Sequence, residues 1–460
     1  MTVGTDLPPA FVTWAHASLV PLPPRRANAD GADFAALDQL IGDAQVVALS
    51  EAVHGAAEPL EFRNRLFEYL VCKKGFTAIG LESGTVEGQA LHDYVLGRRD
   101  DLEAALAEGI SWGLDAVPQN RTLINWMRHY NAQPEHTHKI HFYGFDVPGS
   151  PGNPHVSRGV DTALGAALSY CESVDPLAAA ALRHRLASLL PLLSFDFHRS
   201  ESAAGYHQLP AIQRDSLTAV IVDLIALFET SESHSLSAPH RECHGRGLRA
   251  ALGARQVDLW LRQIPLTWQP LDPGQALIFP SDTTAFMSAA TDVRDRAQAD
   301  NVAWILGQEG AGGKLLLFAH RYHISGSFIT PSWTGNRVQA VMGTYLKRRL
   351  GRRLITVGNF ISRGEVQDGP STRTLAAPED GSLEGLAEQL NVPSFWLDLR
   401  SIPPELAECL DHVRCIRGAV GTVGDVMTLR VRAAFDVLFC LDRVTPWGHL
   451  SGSDTATAAS

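Results

Sequence analysis

Short runs of apolar and β-branched residues alternate along the chain with longer stretches of helical periodicity. That alternation is the pattern of a parallel sheet whose strands are joined by crossover helices. Gln45–Leu49 reads as a first strand, followed after a short polar turn by a helix from about Glu58 to Lys73. Phe62, Leu66, Tyr69 and Leu70 fall at helical spacing there and would face the sheet. Gly75 ends this helix, and Thr77–Leu81 follows at once as a second strand. Ile140–Phe145 gives a third, preceded by a helix around Thr122–Tyr130. Leu315–Ala319, Leu354–Asn359, Phe395–Leu399 and Phe435–Leu441 supply further strands, the first of them led in by a long helix over about Ala285–Gln308.

Between 155 and 270 the pattern changes. Pro176–Leu190 and Ser216–Glu229 read as helices with no strand signal between them, and Ser231–His244 reads as a polar, exposed loop. The expectation is therefore an α/β fold with a mostly parallel central sheet flanked by helices, and a helical insertion over the strand-end cleft. The divisions are an irregular N-terminal arm (1–35), a first core segment (36–154), the insertion (155–270), a second core segment (271–448) and a disordered polar tail (449–460). No internal repeat is visible.

Composition narrows the function classes. The chain has 460 residues, long enough to bury a large core, with 45% hydrophobic and 19% charged residues. Its 39 basic residues stand against 50 acidic ones, a net charge of -11, and no Lys/Arg stripe offers a basic face to nucleic acid. No apolar run approaches the roughly 20 residues that span a bilayer. The first 30 residues, with Pro8, Pro9, Pro21, Pro23 and Pro24, lack the apolar core of an export signal. The six cysteines are scattered without a CxxC pair; Cys72 and Cys440 sit in apolar contexts that suit buried free thiols, and a cytoplasmic protein is the expectation. Oligomeric state has no signature here.

The chemistry shows in position. In open parallel sheets, ligands bind beyond the carboxyl ends of the strands. Strand one runs into Glu51 and His54, strand two into Glu82, strand three into Asp146, and strand four into His320 and His323. One strand ending in a charge means little; four suggest a site. Glu51 and His54 lie three apart, so a turn can place both on one side, and Gly55 lets the backbone bend. An imidazole of ordinary pKa about 6.5 takes a proton near neutrality, and a neighbouring carboxylate would orient it. A capping Glu beside a structural His is the alternative. His320 and His323 are suited to polarising a carbonyl, shuttling a proton or binding metal, or else to a structural role. Arg63, one turn into the first helix, is suited to pairing with Glu82, to holding a substrate oxygen, or to a helix salt bridge. Glu58 at that helix's start is favourable beside the positive end of its dipole.

Other chemistries lack support. There is no Gly-x-Ser-x-Gly elbow for a serine hydrolase. Gly310-Ala311-Gly312-Gly313-Lys314 lies between a helix and a strand, the reverse of a phosphate loop. His240, Cys243 and His244 have only loose metal-like spacing.

The same segments resemble the erythromycin-esterase family. The resemblance runs through Glu51-Ala52-Val53-His54-Gly55, Glu58, Phe62-Arg63 and Gly75 to Glu82. It continues through Trp126-Met127-Arg128, Tyr143-Gly144-Phe145-Asp146, Arg294-Asp295, Asn301 and His320-Arg321-Tyr322-His323. It ends at Phe435-Asp436 and Asp442-Arg443-Val444-Thr445-Pro446, covering most of the chain from about residue 40 to 448. It implies His54 as the general base that activates water, with Glu51 assisting and Glu82, Arg63 and His320 completing the catalytic set. His323, Arg321, Asp146 and Glu58 would hold substrate. Ser50 and Val53 stand where the family usually has Gly and a Ser or Thr, and Arg321 where it more often has Asn.

The expected activity is hydrolysis of an ester or lactone in a bulky, macrolide-like secondary metabolite, with no covalent intermediate, no cofactor and no metal. The partner is that small-molecule substrate, with no nucleic acid and no membrane. The alternative is a biosynthetic tailoring enzyme using the same His/Glu site for elimination or cyclisation. A metalloenzyme and a non-catalytic binding protein are the remaining readings.

Overall fold

A computed structural model of the chain describes residues 7–22, 34, 37–111, 113–148, 160–187, 189, 206, 209–231, 238–263, 284–379, 382–410, 414–417 and 423–448. The chain divides into two compact units. One comprises Met1–Leu81, Ala116–His141 and Val302–Ser460; the other comprises Glu82–Asp115 and Phe142–Asn301.

The strands form where the apolar runs lie. In chain order they are β1 (Leu19–Pro21), β2 (Val46–Glu51), β3 (Ala78–Gly84), β4 (His141–Asp146), β5 (Leu315–His320) and β6 (Ile329–Pro331). They continue with β7 (Leu354–Asp368), β8 (Ser371–Thr374), β9 (Ser394–Asp398), β10 (Arg414–Arg417), β11 (Val423–Leu429) and β12 (Val437–Val444). The main sheet has the order β1-β9-β12-β7-β2-β5-β3-β4, with β8 folded back on β7. Its centre is parallel: β12 on β7, β7 on β2, β2 on β5 and β5 on β3. One edge is antiparallel, where β9 pairs with β12 and β1. Central strands need both faces covered, and every residue of β2 and β5 is buried, which is why their sequences run apolar rather than alternating.

Register sets the site. In the β2–β5 pair, Ser50 lies opposite Ala319 and Glu51 opposite His320, so both strands end level with each other. The helix Ala57–Lys74 leaves β2 after a five-residue turn and ends on Gly75, whose φ of 69° is the left-handed cap that glycine adopts without strain.

A core cluster in the first unit joins Phe11, Phe360, Leu386, Phe395, Leu397, Phe435 and Leu438. The second unit has its own, built from the helices Val160–Val174, Pro176–Leu186, Ala211–Ser231 and Ala238–Gln263 around Leu168, Leu217, Leu224, Phe228 and Ala254. Inside it Asp258 accepts from the Tyr206 hydroxyl and from Thr218 Oγ1 at 2.6 Å.

Several local expectations are corrected. The arm read as irregular contains the helix Pro9–Ser18, with proline at its first position, and β1, which extends the sheet edge. The segment read as a polar loop is helical from Ala238 onward, where buried Ala250, Ala251 and Ala254 supply the packing face. A second sheet, β10-β11-β6, went unseen because β10 and β6 are only four and three residues long and Gly424 and Asp425 interrupt the apolar pattern of β11. The tail 449–460 lies outside the described residues. No helix among the described residues is long and apolar enough to cross a membrane.

Candidate active site

At the end of β2 the backbone turns through Ala52–Gly55 before the helix begins. This turn brings Glu51 Oε1 to 2.6 Å from His54 Nδ1. The Glu51 side chain is 5% exposed and that of His54 is 33% exposed. A carboxylate accepts, so Nδ1 carries the proton and Nε2 presents its lone pair. A buried carboxylate thus fixes the tautomer of a partly exposed imidazole, the arrangement of a general base.

Arg63 stands one turn along the following helix. It is wholly buried, its guanidinium 4.9 Å over the Phe318 ring and bonded to Asn64 Oδ1 at 2.8 and 3.0 Å. Burial lowers it to about 9, while the Glu51 charge works in the opposite direction. The two groups thus attract each other within the fold.

His320, at the end of β5, has its ring 5.5 Å from that of His54. It is only 6% exposed, with Nε2 3.2 Å from the Ala52 carbonyl. Tyr322 follows, its hydroxyl donating to Gln339 Oε1 at 2.7 Å. His323 is buried against the Tyr322 ring, with centroids 5.0 Å apart.

Two residues expected at the substrate contact other parts of the fold. Arg321 is completely enclosed, its Nη2 2.9 Å from the equally enclosed Glu384 and its guanidinium 5.2 Å over Phe360. Glu58 caps the segment after β12: its Oε2 accepts from the Thr445 N–H at 2.9 Å and its Oε1 from Thr445 Oγ1 at 2.7 Å. That segment straps the turn, since Thr445 O accepts from Ala57 N at 2.9 Å and Trp447 N donates to Gly55 O at 3.0 Å. Gln367 N, where β7 meets β8, donates to the same Gly55 carbonyl at 2.9 Å. Gly55 has φ 97°, and a Cβ there would collide with the Gln367 backbone.

In the second unit, Glu82 and Asp146 share Arg294. Arg294 Nη2 lies 2.8 Å from Glu82 Oε1 and 2.5 Å from Asp146 Oδ2. Burial alone would depress this guanidinium; the charges of Asp146 and Glu82 outweigh it and hold the group above its ordinary value. Asp146 is 0% exposed and also accepts from Gln298 Nε2 at 3.1 Å and Val147 N at 2.8 Å. These contacts anchor it at the strand end. Glu82 is less enclosed, its side chain 14% exposed.

The structure thus brings Glu51, His54 and His320 together with Arg63 beside them, and gathers Glu82 and Asp146 around Arg294. Among the described residues no group of three or more His, Cys, Asp or Glu is placed to hold a metal ion. Arg294, and Asn359, whose Oδ1 accepts from the Ala52 N–H at 3.0 Å next to Glu51, were missed as site residues. The available signals were a charge inside a long helix and a lone amide closing the apolar run Leu354–Asn359.

A family model described as erythromycin esterase matches residues 71–444. An erythromycin esterase type II of Escherichia coli is 23% identical over 417 residues, 88% of this chain and 92% of that protein. A crystal structure of a Bacillus cereus protein superposes with a TM-score of 0.75 at 21% identity, covering 96% of this chain and 98% of that one. A mutant of the erythromycin esterase EreC in its open conformation gives a TM-score of 0.65 at 18% identity, over 93% and 97% of the two chains.

Proposed function

The chain belongs to the erythromycin esterase family, and we propose that it is a carboxylic ester hydrolase acting on a bulky ester or lactone, macrolide lactones being the family precedent. The family supports hydrolysis. The observation that carries the finer reading is the 2.6 Å contact between a buried Glu51 and a half-open His54. His54 Nε2 takes a proton from water as its oxygen attacks the ester carbonyl. The tetrahedral adduct then collapses, the C–O bond breaks, and the imidazolium returns the proton to the leaving alkoxide. Acid and alcohol are the products, and no acyl-enzyme forms. Glu51 holds the tautomer and stabilises the transient imidazolium.

The alternative of a tailoring enzyme leaned on the unusual residues Val53 and Arg321. Both are 0% exposed, so neither side chain distinguishes the substrate surface, and no observation favours that reading.

The test is incubation of a panel of macrolides and simple esters with the protein in oxygen-18 water. Wild type is expected to yield the ring-opened or cleaved acid with one heavy oxygen in its carboxylate. His54→Ala is expected to lose about 10²–10⁴ in kcat, the usual worth of a general base. Product lacking the label, or equal turnover by the folded mutant, sinks the proposal.

A further inference from the structure

Ala52 has no side-chain chemistry, yet its backbone is gripped from both neighbouring strands. Its N–H donates to Asn359 Oδ1 at 3.0 Å, and its carbonyl lies 3.2 Å from His320 Nε2. Asn359 comes from β7 and His320 from β5, the two strands flanking β2. Asn359 is itself 0% exposed and immobilised. Its Nδ2 donates to Phe439 O at 3.0 Å in β12, and its backbone N–H donates to Ser50 Oγ at 2.7 Å. The serine in place of the family's usual glycine thus has a local use: it ties β7 to the last turn of β2.

Two contacts of His320 suit one tautomer. A carbonyl only accepts, so the contact with Ala52 O calls for a hydrogen on Nε2. On the other side the Tyr322 N–H, 3.4 Å away, only donates, so that contact calls for a lone pair on Nδ1. An imidazolium would lose the second contact and would add a cation 5.5 Å from the His54 ring, which itself becomes positive during the reaction.

We propose that His320 and Asn359 are positioning residues that clamp the Ala52 peptide from opposite strands, with His320 acting as a permanently neutral Nε2–H donor rather than as a proton carrier. The clamp fixes the peptide planes between Glu51 and His54, and so the angle at which the carboxylate meets Nδ1. This inference rests on the hydrolytic reading above for its kinetic consequence, but its structural content can be read without turnover.

Histidine-labelled protein is examined by ring-nitrogen NMR, with His320→Gln identifying the His320 signals by difference. His320 is expected to remain the neutral Nε2–H tautomer from mildly acidic to mildly basic pH while His54 titrates. Titration of His320, or an Nδ1–H tautomer, overturns the proposal. In kinetics, His320→Ala and Asn359→Leu are expected to lose about 10²-fold in kcat with KM little changed, as a misplaced base does. His320→Gln, which keeps an amide donor, is expected to recover about ten-fold or more over His320→Ala, with the pH profile of wild type. A glutamine variant as inactive as alanine, or one that loses a limb of the profile, overturns the clamp. Circular dichroism melts confirm that each variant is folded, and Asn359→Ser replaces Asn359→Leu if that variant is not. Folded wild type that turns over no ester while His320 stays neutral would remove the hydrolytic reading and leave the clamp standing.

Discussion

At the residue scale, the burial of each charged group decides its task. Glu51, Arg63 and Arg321 are all buried, but Glu51 meets a partly exposed imidazole whereas Arg321 meets an enclosed carboxylate. Arg321 with Glu384 is an enclosed pair, and removing either member would strand the other at a cost of roughly 3–5 kcal/mol. Asp292, on the helix Thr284–Glu309, is half-buried, and its carboxyl is raised to about 6, by burial first and by the charge of Asp295 next. Its ordinary value is 3.8, so the folded state prefers the neutral form. The associated stability is full below the unfolded pKa and is lost as pH rises through the folded one. Asp292→Asn is therefore expected to melt higher than wild type at neutral pH. The advantage should shrink as pH falls below about 6 and vanish by about 3.8. A gain independent of pH in thermal melts would show that burial and Asp295 are not the cause.

At the scale of elements, the turn Ala52–Gly55 is held by pieces that have no catalytic chemistry. The β7–β8 hairpin and the segment after β12 both bond to the Gly55 carbonyl, and only glycine tolerates φ 97° against the Gln367 backbone. Gly55→Ala is expected to cost at least about 1–3 kcal/mol in backbone strain and to depress kcat together with stability. Chemical denaturation alongside turnover checks this; an alanine variant of wild-type stability and rate would mean that the hairpin yields freely. The strands around this turn were legible because β2, β3, β5, β7 and β12 are apolar runs bounded by turn residues. Their ends were less so: β7 continues nine residues past Asn359, alternating buried and exposed near its end as it forms the hairpin. The helix Pro9–Ser18 and the small sheet β10-β11-β6 carry little periodic signal and owe their form to packing on neighbours.

At the scale of the whole chain, the site joins residues far apart in sequence. Ala52 meets Asn359 across 307 positions, and Glu58 meets Thr445 across 387. The last described segment thus acts on the turn that follows β2. A chain ended after Val444 keeps β12 but loses the Thr445 and Trp447 contacts to Ala57 and Gly55. It is expected to remain folded by circular dichroism and to lose about ten-fold or more in kcat, on the principle that a misplaced catalytic group costs up to 10²-fold. Unchanged kinetics would show that the strap is dispensable.

The sequence by itself determined the alternation of strands and helices, the family, and the short-range Glu51–His54 pair, because apolar periodicity and a spacing of three are local properties of the chain. The tertiary structure alone decided which polar residues face a partner and which are sealed inside. Arg321, Glu58 and Asp146 look in sequence like His54's companions, yet long-range packing enclosed the first against Glu384, spent the second on Thr445 and locked the third to Arg294. It also brought Asn359 beneath Ala52, since strand order and register are set by which faces can be buried together, a property no local window of residues contains.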